Sequence, residues 1–304
     1  MSLIGNWIES LSYELEISYS CTRKISPMSS CTTCIDKCPT EAIRVVNGEI
    51  TISNHLCTIC GVCTTVCPVQ AIKGKSPSRR IIRNYVLLEN GYVLPTVAEL
   101  LYYHKKGIRS IHESSVNEEL SEVVSRVNNI LAKMELEQLS FVEHVEAESE
   151  HPQMISRRAF FARIGSNSKN TVLTSLTPIK WRFNEHSFKT SNLFKGWSFF
   201  KIKLNHEDCT LCKACFMICP SDVFRIAEDS LKLTDHNCCG CRLCSDICRE
   251  KAVQITDNVH ISEEESFSLV QANCKKCHTN FPSWKGAEEL CPICSSGDKP
   301  NFFL

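Results

Sequence analysis

The sequence predicts an α+β protein: two small, duplicated cysteine-rich modules joined by a small α/β insert and a basic linker, with a short four-cysteine ribbon after them. Three observations carry this prediction. The 304 residues include 21 cysteines, far above ordinary usage. Most of them fall in two groups of similar internal spacing, Cys21 to Cys67 and Cys209 to Cys248. Each group is preceded by a short alternating strand and interrupted by a hairpin pattern, so the duplication extends beyond the cysteines.

Residues 1–80 make the first module. YELEISYS alternates as a strand does, and IRVVNGEITI turns on Asn47-Gly48, a favoured two-residue hairpin. The period then changes over residues 81–150. NYVLLENG reads as a strand, and PTVAELLYYHKKG puts Val97, Leu100, Leu101 and His104 at helical spacing. IRSIHE is a second strand. VNEELSEVVSRVNNILAKMELEQL then sets Leu120, Val123, Val124, Val127, Ile130 and Leu131 on one helical face. These segments predict a βαβα insert. Residues 151–197 form a basic, aromatic linker. Residues 198–265 repeat the first module with the strand FFKIKL and the hairpin VFRIAEDSLKLT, and residues 266–304 hold the last cysteines. Each module has too few apolar residues for a large core.

Composition narrows the setting. Apolar residues make up 43% and the net charge is zero, as in an ordinary folded protein. The segment MSLIGNWIESLSYELEISYS lacks Lys and Arg and has no long apolar core, so it does not read as an export signal. No stretch approaches the ~18 apolar residues of a membrane span. The expectation is a cytoplasmic protein with no membrane span, its thiols held by metal rather than by disulfides. The charge is unevenly spread. Residues 135–150 carry six glutamates and no Lys or Arg, whereas residues 157–203 carry ten Lys or Arg against Glu185 alone. That basic block reads equally as a dock for an acidic partner and as a solvated connector.

The cysteine spacing is the chemical signal. The second group contains CTLCKACFMICP, with Cys209, Cys212, Cys215 and Cys219, and CCGCRLCSDIC, with Cys238, Cys241, Cys244 and Cys248. Both runs have the C-x2-C-x2-C-x3-C spacing of bacterial [4Fe–4S] proteins, in which the fourth cysteine ligates the other cluster. Cys209, Cys212, Cys215 and Cys248 are therefore assigned to one cluster, and Cys238, Cys241, Cys244 and Cys219 to its neighbour. The first group has one regular run, Cys57, Cys60, Cys63 and Cys67, and a shorter one, Cys31, Cys34 and Cys38. Cys21 supplies the missing ligand across a nine-residue gap. The crossing rule then gives Cys21, Cys31, Cys34 and Cys67 to one cluster, and Cys57, Cys60, Cys63 and Cys38 to the other.

Over residues 10–75 and 198–262 these motifs resemble the two-[4Fe–4S] ferredoxin family. The resemblance implies compact pseudo-symmetric modules that carry single electrons between neighbouring clusters. The sequence departs from the family pattern at the nine-residue gap and at Arg249, which stands where proline is usual. Zinc fits these modules poorly, because a triplet followed by a fourth cysteine would overcrowd one tetrahedral ion. A radical enzyme needs the opposite order of gaps.

Cys274, Cys277, Cys291 and Cys294 are spaced C-x2-C-x13-C-x2-C, the pattern of a closed four-thiolate zinc ribbon. They also faintly resemble rubredoxin, which would place iron there. Cys239 has no assigned role. Ser156-Arg157-Arg158-Ala159-Phe160-Phe161 looks like a twin-arginine motif but lies mid-chain with no apolar segment after it. A similar segment occurs in the accessory ferredoxins of periplasmic nitrate reductase systems, a resemblance that implies a docking element; the residues read equally well as a basic linker with Phe160 and Phe161 tucked against a domain. The expected function is a polyferredoxin with four [4Fe–4S] clusters and one Zn2+, relaying electrons to or from a larger oxidoreductase. The alternative is an accessory or assembly factor for a redox enzyme such as a molybdoenzyme. No phosphate loop or acid–base constellation implies a small-molecule substrate or a catalytic residue of its own. The nearly balanced charge of the ribbon argues against a nucleic-acid partner.

Overall fold

The computed structural model describes residues 15–142 and 188–295, apart from 75, 78, 83, 89, 90, 114–116 and 228. The first module comprises β1 (Glu16–Ile17), α1 (Thr22–Ile25), α2 (Thr33–Asp36), β2 (Ile43–Val46), β3 (Glu49–Ile52), α3 (Val62–Val66) and β4 (Ile72–Lys73). β1 pairs with β4, and β2 with β3, both antiparallel. Asn47 and Gly48 both take positive φ, 52° and 82°, as a type I′ hairpin turn requires.

The insert is a four-stranded sheet with two helices. β5 (Arg80–Ile82), β6 (Tyr85–Leu88), β7 (Ser110–Glu113) and β8 (Ser140–Val142) lie in that order, with α4 (Val97–Lys105) and α5 (Glu118–Lys133) as crossovers. β6, β7 and β8 run parallel, and β5 is antiparallel at the edge. The sequence pattern gave two strands; β5 and β8 are three-residue edges, too short to show a period. Thr96 caps α4 through a capping box with Glu99, and Asn117 caps α5 by accepting the Leu120 N–H. Leu100, Leu101, Leu120, Val124, Val127 and Leu131 form the buried seam. Glu99, fully buried, receives both Arg79 Nε at 2.7 Å and Nη2 at 3.2 Å.

The second module repeats the first on a larger frame. It comprises α6 (Thr190–Leu193), β9 (Trp197–Leu204), α7 (Ala214–Ile218), β10 (Phe224–Ile226), β11 (Ser230–Thr234), α8 (Leu243–Asp246), β12 (Val253–Ile261) and β13 (Glu264–Ser268). β9 pairs with β12, as β1 does with β4, and β10 with β11, as β2 does with β3. The bonds flanking the strands correspond as well. Ser18 N donates to Ala71 O and Asn205 N to Ala252 O, both at 2.8 Å; Ser53 N donates to Ala42 O and Thr234 N to Val223 O, at 2.8 and 2.9 Å. β13 adds a third strand beside β11 and runs across residue 265. Phe194 and Trp197 at the end of the linker segment, with Phe199, Phe200 and Val259 of the second module, complete the core of the insert. The glutamate-rich stretch beyond Val142 and the Ser156–Phe161 segment lie outside the described residues.

β14 (Val270–Asn273) and β15 (Asn280–Ser283) form the C-terminal hairpin, followed by α9 (Pro292–Ser295). Trp284 Nε1 donates to the carbonyl of Cys209 at 2.6 Å, fixing the hairpin to the second module. Among the described residues no helix is long and apolar enough to cross a membrane.

Candidate metal centres

Three of the cysteine runs share one backbone device. Between successive cysteines stands a residue in the left-handed region: Ile59 and Gly61 in Cys57–Cys63, Leu211 and Lys213 in Cys209–Cys215, Gly240 and Arg242 in Cys238–Cys244. Alternating handedness curls the loop so that its thiols converge on one side. Four of these six residues are not glycine, and each left-handed side chain costs about 1–2 kcal/mol. Strain repeated at equivalent positions marks the loops as built for what they hold.

A second device recurs after every fourth cysteine. Three residues beyond Cys38, Cys67, Cys219 and Cys248 stand Glu41, Gln70, Asp222 and Lys251, all with φ between 49° and 53°. This turn aims an amide back at the sulfur. Ala42 N and Ala71 N reach Cys38 and Cys67 Sγ at 3.2 Å, and Ala252 N reaches Cys248 Sγ at 3.3 Å. Val223 N–H does the same for Cys219, opposing the upward push of burial on that thiol. Arg249 in place of proline therefore leaves the turn intact.

The thiols gather in sets. Cys21, Cys31, Cys34 and Cys67 line one recess walled by Ile17, Ile50 and Ile72. Burial, then the charges of Cys67, Cys31 and Cys21, push the Cys34 thiol up to about 12. Cys63 is raised by burial and by Cys60, Cys34, Cys57 and Cys38. Cys215 is pushed to about 12 by burial and by Cys209, Cys212 and Cys248. Cys219, Cys238, Cys241 and Cys244 line a recess with Ile202, Val223 and Ile255. Cys34 neighbours Cys63, and Cys215 neighbours Cys244, so the two sets within each module adjoin.

Cys21 reaches its set through a self-bonded loop. α1 makes one turn after it, Ser29 Oγ donates to the buried Thr22 Oγ1 at 3.0 Å, and Arg23 Nε donates to the Cys31 carbonyl at 2.5 Å. Cys239, unassigned from sequence, is a fifth thiol in the Cys238 recess and is itself buried. A hydrogen bond between Cys239 and Cys241 lowers the first thiol and raises the second.

The donor chemistry fits iron–sulfur groups. Buried, mutually repelling thiols resist ionisation, and a metal core reverses that by deprotonating its ligands outright. The sets are also too open for a single ion. Four thiolates at Zn–S ≈ 2.3 Å lie about 3.8 Å apart. Among the described residues, Cys274, Cys277, Cys291 and Cys294 are the one group of three or more Cys, His, Asp or Glu whose ligand atoms all lie within 4.8 Å of one another. Within it, Cys277 Sγ and Cys291 Sγ are 3.8 Å apart. The Cys291 N–H lowers the Cys274 thiol to about 6, whereas burial and the neighbouring thiols raise Cys294 to about 12.

Comparison with known proteins agrees with this chemistry. The 4Fe-4S dicluster domain matches residues 29–72, and the 4Fe-4S binding domain matches residues 202–225. An uncharacterized ferredoxin of Methanocaldococcus jannaschii is 35% identical over 46 residues, which is 15% of this chain and 74% of that protein. The chain belongs to the iron–sulfur ferredoxin family. Its ferredoxin domains point to electron transfer. The first match takes in Cys31 to Cys67 and omits Cys21; the second takes in Cys209 to Cys219 and omits the run from Cys238 to Cys248.

Proposed function

We infer that this ferredoxin is a polyferredoxin, an electron-transfer protein with four [4Fe–4S] clusters that serves a larger oxidoreductase. Cys21, Cys31, Cys34 and Cys67 would hold one cluster, and Cys57, Cys60, Cys63 and Cys38 the second. Cys209, Cys212, Cys215 and Cys248 would hold the third, and Cys238, Cys241, Cys244 and Cys219 the fourth. Each cluster supplies one-electron redox chemistry when bound. The chain's part is to ligate, to keep water out with isoleucine and valine walls, and to aim amide N–H groups at the cysteine sulfurs, which tunes the potential. The observation that supports this reading most is the amide-to-sulfur turn repeated after all four fourth cysteines. Cys274, Cys277, Cys291 and Cys294 would hold zinc, favoured by sulfur separations that suit one tetrahedral ion. A reducing, cytoplasmic setting suits so many metal-held thiols.

Cys60→Ala tests the assignment. One cluster's EPR signal and the electron flow through the chain should both be lost, and full electron transfer with that signal absent would sink the reading. Anaerobic capture of the tagged chain from its native cells tests the partner class. A cofactor-loaded oxidoreductase is expected, whereas a cofactor-free partner would indicate an assembly role.

A further inference from the structure

The insert has a job that the ferredoxin modules do not explain. Its hydrophobic core is finished by residues of the second module: Phe194, Trp197, Phe199 and Phe200 around β9, and Val259 on β12. Phe200 faces both ways, because it also packs in the core of the second module and fills the space beside Gly240 in the Cys238–Cys244 loop. On its other side the insert meets the first module, where Thr96 Oγ1 donates to Thr65 Oγ1 at 2.9 Å, next to Cys63. Relative motion is the default for modules joined by small polar contacts, and a shared apolar core removes it.

The two modules also touch directly. Ser30 N and Ser30 Oγ both bind the Asp246 carboxylate at 2.8 Å, closing a bidentate contact between residues 216 apart. Ser30 precedes Cys31 and belongs to the loop inserted between Cys21 and Cys31. Asp246 ends α8, midway between Cys244 and Cys248, which belong to different sets in the second module. The contact therefore joins the Cys21 set to the point where both second-module sets meet. Each module already brings its own two sets together through Cys34 and Cys63 or Cys215 and Cys244.

We propose that the α/β insert is a brace and the Cys21–Cys31 loop a clasp, which together lock the two ferredoxin modules so that all four cysteine sets form one continuous series. The proposal rests on the four-cluster reading, and it gives the nine-residue gap and residues 81–142 a common purpose. The series places the Cys57 set at one end and the Cys21 set at the junction with the second module.

The test is EPR relaxation of the reduced full chain carrying Cys60→Ala, which removes a ligand of the end set and leaves the Cys21 set to report for the first module. Its signal should relax faster than an isolated cluster's, through magnetic coupling to the second module. Adding Asp246→Lys, which breaks the clasp, or Val259→Lys, which loosens the brace away from any cysteine, should abolish the enhancement with iron unchanged at about twelve per chain. Enhancement that survives both substitutions overturns the proposal, as does its absence from Cys60→Ala at about twelve irons per chain. A chain lacking that iron overturns the four-cluster reading and the proposal with it. Small-angle scattering gives a second readout: Val259→Lys should enlarge the radius of gyration of the oxidised chain, and an unchanged radius counts against the brace.

Discussion

Gly240 shows how closely single residues are constrained around the cysteines. It takes φ +70°, and a Cβ there would run into the Phe200 ring. Gly240→Val therefore combines backbone strain with a clash against a ring that cannot swing away, since Phe200 is packed in two cores. The expected outcome is loss of about four irons with the other sites filled, read by iron analysis and EPR. Cys21 and Cys239 make a complementary pair. One sits ten residues from its nearest companion and the other adjoins an assigned ligand in the chain, so iron content is the measurement that separates their roles. Cys21→Ala should lower iron from about sixteen to about twelve per chain, and Cys239→Ala should leave it unchanged. Equal iron in wild type and Cys21→Ala would remove that residue from the ligand set.

At the scale of elements, α4 is held by a charge pair taken out of water. The Arg79 and Glu99 side chains are 6% and 1% exposed, and the same carboxylate closes the capping box. Arg79→Met strands a buried carboxylate. Breaking one side of such a pair costs about 3–5 kcal/mol. Hydrogen exchange in α4 and α5 should rise accordingly while the absorbance of the clusters persists; unchanged protection would mean that the pair is idle. His104, in the last turn of α4, adds a pH dependence. Burial lowers its pKa, and Arg109 pushes the same way against the Glu137 carbonyl bound at 2.8 Å. The folded state thus resists a proton that the unfolded chain accepts below about pH 6.5. Protection of the insert should fall as pH drops below that value, and His104→Gln should flatten the slope.

For the molecule as a whole, the C-terminal four-cysteine hairpin is docked on the second module rather than free. Trp284 lies against Phe267 and His206, at centroid distances of 6.1 and 5.8 Å, while its indole N–H binds the Cys209 carbonyl. The ribbon thereby covers a flank of the Cys209 set. Cys274→Ala should release one zinc per chain and leave the iron of all four sets in place, as measured by metal analysis. Iron recovered at this site in the wild type would instead make it a rubredoxin-like fifth centre.

Local chemistry is legible in the order of residues alone. Spacing within a run of seven residues places three thiols on one curled loop, an Asn-Gly pair sets a hairpin, and the seam of α5 follows from residues one turn apart. Each of these depends on neighbours a few bonds away, so pattern and structure carry the same information. Counting alone led to Cys21, since eight ligands were needed and one remained. Features set by packing lie at long range. β5 and β8 exist because a parallel sheet offers them an edge to pair with. The insert reads as a spacer until Phe194, Phe199 and Val259 enter its core from the second module. The clasp between Ser30 and Asp246 has no trace in either local segment, because a serine and an aspartate are ordinary surface residues until packing brings them within 2.8 Å. Burial and juxtaposition are properties of the assembled chain, and nearest-neighbour pattern cannot express them.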